Sequence, residues 1–179
     1  MKKPRLLVSA CLLGQPVRYD GQAKAMARSD WEALRQRFEI VPACPECLGG
    51  LPTPRPPAEI RHGDGAAVLQ GLASVQTRQG QDVSQAFVNG ARRALEIARR
   101  QGCQAALLKA NSPSCGNLQI YDGSFAAVLS DGQGVAASLL EQHGIRVWNE
   151  TQMGDLLAWQ AGRRLSFRAL KSSGLPPDT

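Results

Sequence analysis

The chain has 179 residues, 43% of them hydrophobic, and carries 21 Lys and Arg against 15 Asp and Glu, for a net charge of +6. That is enough for one domain with a real hydrophobic core and excludes a disordered or low-complexity chain. No segment approaches the roughly 20 apolar residues that cross a bilayer. The five cysteines are too scattered for the disulfide framework of a small secreted domain.

The N-terminal stretch MKKPRLLVSACLLGQPVRYDG has basic residues before an apolar run, as a signal peptide would. The run LLVSACLL is short, however, and ends in a Gly-Gln-Pro turn without a cleavage site. A strand over RLLVSA (5–10) running into a loop that starts at Cys11 is the better reading, and a cytoplasmic protein is expected. SDWEALRQRF (29–38) is expected to be a helix: Ser29 and Glu32 have capping-box spacing, and Trp31, Leu34 and Phe38 share a face. EIVPA (39–43) is the next strand and leads directly into CPEC, with Cys44 and Cys47.

The proline- and glycine-rich segment 48–64 is expected to lack regular structure, because proline removes donors and glycine permits unusual dihedrals. A loop of that length inside a compact domain suggests a functional role. AAVLQ and ASVQTRQ read as a short strand pair around Gly71. DVSQAFVNGARRALEIARRQG is the clearest helix, with Asp82 as cap, Val83, Phe87, Ala91, Ala94, Leu95 and Ala98 on one face, and Gly102 at its end. CQAALLKA (103–110) is a buried strand running into NSPSCG, and Cys103 within it reads as a small buried hydrophobe. A helix over 134–143 ended by Gly144, a strand IRVWN and a last helix from about Thr151 complete the chain.

Strands alternating with helices predict an α/β fold: a Rossmann-like three-layer domain with a mainly parallel sheet, spanning residues 1–161, followed by a basic, flexible tail over 162–179. Cys11, Cys44 and Cys115 each follow a strand, so a parallel sheet brings all three to its carboxyl edge, where ligands bind. Much of the excess charge lies in ARRALEIARR and GRRLSFRALK, which read as a solvated helix face and a basic tail; a nucleic-acid partner is therefore not favoured.

Three chemistries fit this cysteine layout. A zinc site wants four ligands, but there is one CxxC, and His62 and His143 are not at ligand spacing. A redox dithiol wants its CxxC at a helix N-terminus, whereas LGGLPTP after Cys47 argues against a helix there. Three thiolates on an iron–sulfur cubane would leave one iron without a protein ligand, free to act as a Lewis acid. Spacing alone leaves zinc and cluster open.

Four motifs in order, VSACLLGQPVRYDG, CPE with GGLPTPRPPAEI, KANSPSCG and YDGSF, resemble the bacterial thiouracil desulfurase family from about Leu6 to the last helix near Gln160. The resemblance implies a [4Fe-4S] cluster held by Cys11, Cys44 and Cys115, and catalytic roles for Glu46 and Ser112. It implies non-redox desulfuration of a thiolated nucleobase such as 2-thiouracil, the sulfur being captured by the open iron. Glu46 would activate water, and Ser112 would relay a proton or orient the substrate. Cys47 stands where the family carries an apolar residue, so it is expected to be a bystander, although a fourth thiolate there would close the cluster. The alternative is a non-catalytic zinc- or iron–sulfur-binding protein associated with nucleic acid through its basic surface. Arg18, Tyr19 and Asp20 would line the pocket or simply form a turn. Arg55 would hold the substrate or pair with Glu59, and Lys109 and Asn111 point to the same sheet edge.

Overall fold

A computed structural model describes residues 2–173. β1 (Arg5–Ser9) lies inside a four-stranded sheet with β2 (Glu39–Ala43), β5 (Ala105–Leu108) and β8 (Arg146–Asn149), in the order β2-β1-β5-β8. Every pairing in it is parallel. The near-continuous apolar runs of β1 and β5 suit strands covered on both faces. Pro42, which cannot donate to a ladder, sits on the edge strand β2.

Alternation along the central strands divides the core. Leu7, Ala106 and Leu108 face one side, where α4 (Ser84–Gln101) and α5 (Val135–Gln142) pack through Phe87, Ala91, Leu95, Ala136 and Leu140. Leu6, Val8, Ala105 and Leu107 face the other, covered by Leu34 and Phe38 at α1 (Arg28–Arg37) and Leu156 of α6 (Met153–Ser173). The result is the expected three-layer, Rossmann-like α/β arrangement. The arginines of α4 lie on its solvated face, and Gly102 ends the helix at φ +68°.

Four local expectations are corrected. The capping box at Ser29 does not form: α1 starts one residue earlier, and Glu32 instead pairs with Arg28 at 2.9 Å. Segment 48–64 is not wholly irregular, because the prolines stop at Pro57 and free the N–H groups of β3 (Ala58–Arg61) for a ladder. The partner of β3 is β4 (Ser74–Thr77), antiparallel, with Ala58 opposite Thr77 and Arg61 opposite Ser74. AAVL is therefore not a strand but part of α3 (Gly65–Leu69), whose N-cap Asp64 accepts the Ala67 N–H at 3.0 Å. Residues 162–173, expected as a flexible tail, continue α6, since Arg, Leu, Ala and Lys favour a helix and no proline interrupts them. The rest of that expected tail, 174–179, lies outside the described residues.

A hairpin of β6 (Gln119–Tyr121) and β7 (Leu129–Asp131), which the sequence reading did not anticipate, packs beside β3. Among the described residues no helix is long and apolar enough to cross a membrane.

Candidate active site

At the carboxyl edge of the sheet, three strand ends deliver three cysteines. β1 passes into a 3₁₀ turn at Ala10–Leu13 that carries Cys11, and Gly14 closes the turn at φ +89°. β2 ends at Ala43, immediately before Cys44. β5 leads through Lys109, Asn111 and Ser112 to Cys115.

CPEC does begin a helix, contrary to expectation. Cys44 is the extended N-cap of the four-residue α2 (Pro45–Leu48), with proline at its first turn, where its fixed φ suits a helix start. This turn lies backbone to backbone on α4. A Cβ on Gly90 would fall 1.9 Å from the Pro45 carbonyl oxygen, and one on Gly49 2.1 Å from that of Ala86. The Arg93 guanidinium donates to the Leu48 carbonyl. We expect Gly90→Ala to lower stability by about 1–3 kcal/mol, or several degrees in Tm, because the Pro45 backbone must move. Gly154→Ala in α6, where nothing lies within 4 Å, is the control and should stabilise slightly. Thermal denaturation of the pair checks this contrast.

The Cys115 turn is fixed by α5. The carbonyls of Pro113 and Ser114 accept the N–H groups of Val135, Ala136 and Ala137, which satisfies the otherwise unpaired start of that helix. A Cβ on Gly134 would lie 2.6 Å from the Ser114 carbonyl carbon, so the turn and the helix start also need glycine there. Ser112 Oγ accepts the Cys115 N–H at 2.8 Å and closes the turn.

Hydroxyls connect these parts. Ser9 Oγ accepts the Lys109 N–H at 2.9 Å and lies 3.6 Å from Cys115 Sγ, joining β1 to the Cys115 turn. Ser114 Oγ lies 3.1 Å from Glu46 Oε2 and 3.5 Å from Cys115 Sγ. The other carboxylate oxygen, Glu46 Oε1, accepts from Arg55 Nε at 3.2 Å. Arg55 is itself spent on the protein: Nη1 donates to the Pro52 carbonyl and Thr53 Oγ1, and Nη2 to the Val17 carbonyl. It therefore does not pair with Glu59, whose Oε1 accepts the N–H groups of Gly123 and Phe125.

Cys11, Cys44, Cys115, Glu46 and Ser112 all line one cavity of about 360 Å³. Arg18, Tyr19, Arg55, Lys109 and Asn111 line it too. Asp20 accepts the Gln22 N–H at 3.0 Å in a turn and does not reach the cavity. Lys109 Nζ is paired with Glu150 at 2.7 Å. Cys47 stands behind the lining, with Sγ 3.9 Å from the Val17 carbonyl and 3.6 Å from Thr53 Oγ1. Cys103 is buried in the segment before β5, where burial pushes its thiol up to about 11. Sequence reasoning passed over Ser9 and Ser114. Their only signal is adjacency, a serine at the end of β1 and another immediately before Cys115.

Burial, reinforced by the neighbouring Cys115, pushes the Cys11 thiol up to about 12. Burial also raises Cys44 and Cys115 well above the ordinary thiol range. The short helix at Cys44 thus does not activate it as the attacking thiol of a redox pair. Cys11 and Cys115 are buried and Cys44 half-buried, and three thiols on one cavity form a donor set that would bind a metal group on losing their protons. Among the described residues, no three His, Cys, Asp or Glu side chains converge tightly enough to hold a single ion. A mononuclear zinc site is thus a poor match, whereas a polynuclear cluster, which presents its irons at separate corners, suits thiols spread around one cavity.

A family model for 2-thiouracil desulfurase matches residues 6–152. The uncharacterized protein YbbK of Bacillus subtilis (strain 168) is 43% identical over 152 residues, which span 85% of this chain and 99% of that one. A solved structure of the [4Fe-4S]-dependent thiouracil desulfidase TudS is similar with a TM-score of 0.79 and 45% identity, covering 89% of this chain and 99% of that chain.

Proposed function

The chain belongs to the 2-thiouracil desulfurase family, and we propose that it is an enzyme that desulfurates a small thiolated nucleobase such as 2-thiouracil without redox change. The observation that carries this reading is that cysteines from three separate strand ends share one cavity with Glu46 and Ser112. Cys11, Cys44 and Cys115 would hold a [4Fe-4S] cluster. When bound, that cluster supplies an iron without a protein ligand, a thiophilic Lewis acid for a thiocarbonyl sulfur.

The protein's own groups supply the acid–base chemistry. Glu46, held by Arg55 on one oxygen and Ser114 on the other, takes a proton from water as the water oxygen attacks the thiocarbonyl carbon. Ser112 Oγ accepts the Cys115 N–H, which leaves the Ser112 hydroxyl proton free to point at the substrate. Ser112 and Ser114 hydroxyl oxygens are 3.5 Å apart, and Ser114 reaches Glu46, so a proton has a path from the base toward the substrate. The carbon exchanges sulfur for oxygen, sulfide leaves with the water's protons, and no electrons are transferred.

Anaerobically purified protein should be brown, contain iron and acid-labile sulfide, and release sulfide from 2-thiouracil. A colourless protein carrying stoichiometric zinc after anaerobic reconstitution sinks the reading in favour of the non-catalytic alternative. Cys47→Ser should keep both colour and turnover within about threefold, because Cys47 stands outside the cavity lining. Bleaching by that substitution, read from visible absorbance, shows that Cys47 is a ligand.

A further inference from the structure

Glu59, in β3, lines the same cavity as the cysteines but takes no part in the Glu46–Ser114 chain. It is only 9% exposed. Its Oε1 is fully engaged by the Gly123 N–H at 3.0 Å and the Phe125 N–H at 3.1 Å. Its Oε2 receives no hydrogen bond and no ion pair from the described residues. Nor is that oxygen sealed in the interior: the described side-chain atoms both unpartnered and shut off from solvent are Arg61 Nε, Trp148 Nε1 and the two amide atoms of Gln160.

The surroundings of Glu59 are aromatic. Tyr121 and Phe125 line the cavity beside it. Phe125 adopts φ +57°, an uncommon conformation for a bulky residue, and its own N–H bond to Glu59 ties down that turn. The Arg78 guanidinium stands 5.6 Å from the Phe125 ring. The cavity therefore has one wall of cysteines, which follow β1, β2 and β5, and a second wall on β3, β6 and the segment after β6. The second wall offers an aromatic surface and one unfilled acceptor.

We infer that Glu59 is the specificity-determining residue of the site, accepting through Oε2 a ring N–H of the substrate. The inference rests on the desulfuration reading for what the cysteine wall does. The favoured substrate class is then a flat heterocycle that pairs a thiocarbonyl with a ring N–H, a cyclic thioamide. An N-alkylated ring leaves a buried carboxyl oxygen unpaired and sets a methyl group against it, and that mismatch is what discriminates. Glu46 and Glu59 divide the work by how their oxygens are used. Both oxygens of Glu46 are oriented by side chains, whereas Glu59 keeps one for the ligand.

Glu59→Gln separates this role from a merely structural one, since its amide oxygen still accepts the two backbone N–H groups while an NH₂ replaces the free acceptor. The experiment uses anaerobic holoprotein and measures uracil binding by calorimetry, steady-state turnover of 2-thiouracil, and turnover of its 1-methyl and 3-methyl derivatives. We expect E59Q to keep the wild-type colour and Tm, to weaken uracil binding and raise KM together by about 10- to 100-fold, and to leave kcat within about threefold. Wild type should reject at least one methyl derivative by about tenfold or more, and E59Q should lose that discrimination. Unchanged uracil affinity and unchanged methyl discrimination in a brown, active E59Q overturn the role of Glu59 while desulfuration stands. A drop in Tm with bleaching also overturns it, in favour of a clamp on the 123–125 turn. Glu59-dependent uracil binding by a wild type that releases no sulfide has the opposite meaning: the substrate-binding role stands and desulfuration falls.

Discussion

Cys115→Ser is expected to give a folded, colourless protein that releases no measurable sulfide from 2-thiouracil. Cys115 is 5% exposed, and the hydroxyls of Ser9 and Ser114 lie 3.6 and 3.5 Å from its sulfur. Serine fits that space and keeps the turn, because the Cys115 N–H bond to Ser112 and the bonds from the start of α5 are made by the main chain. What it removes is the soft donor, since an alkoxide is a poor ligand for iron that a thiolate binds well. The loss should exceed the about 10- to 100-fold that follows removal of an outer partner of a metal ligand. Cys103→Ala, which removes a buried thiol just before β5 and away from the cavity, should stay brown and active. Iron and sulfide counts beside circular dichroism separate loss of the cluster from loss of the fold. A brown, active C115S protein would falsify the ligand assignment.

How much of this was legible in the sequence depends on the range of the interactions. β1 and β5 are local signals, short apolar runs bounded by polar turns, and a parallel sheet then dictates that Cys11, Cys44 and Cys115 meet at one edge. The pairing of β3 with β4 was not legible, because its register is set across an intervening helix and Asp64 looks like any loop acid until it caps α3. Ser112 and Ser114 flank Pro113 and look equivalent in the sequence. Only the turn shows that the first closes it through the Cys115 N–H and the second reaches Glu46. Arg55 shows the same limit. Glu59 is nearer in sequence, yet the chain reversal through Pro52 and Thr53 brings the guanidinium to Glu46 instead. The helical turn at CPEC was hidden for another reason: four residues carry no periodicity, and what holds them is the close approach to Gly90 of α4.

The arrangement around Glu46 leads to the second large effect. Glu46→Gln should retain the cluster and its colour, bind substrate with little change in KM, and lose about 10²- to 10⁴-fold in kcat. The amide is nearly isosteric with the carboxylate, so its oxygen can still accept from Arg55 Nε. The Ser114 hydroxyl can turn to accept from the new NH₂ group instead of donating to Oε2. Position and packing are thereby kept, and what disappears is a group able to take a proton from water. A purely electrostatic role in holding Arg55 makes a different prediction. Removing the charge would then leave the buried guanidinium, 4% exposed, without its counter-ion and lower stability, with colour and turnover declining together. Measuring kcat, visible absorbance and Tm on the same anaerobic preparation tells the two apart. Turnover lost at constant colour and Tm identifies Glu46 as the base, and wild-type kcat in E46Q removes it from the mechanism.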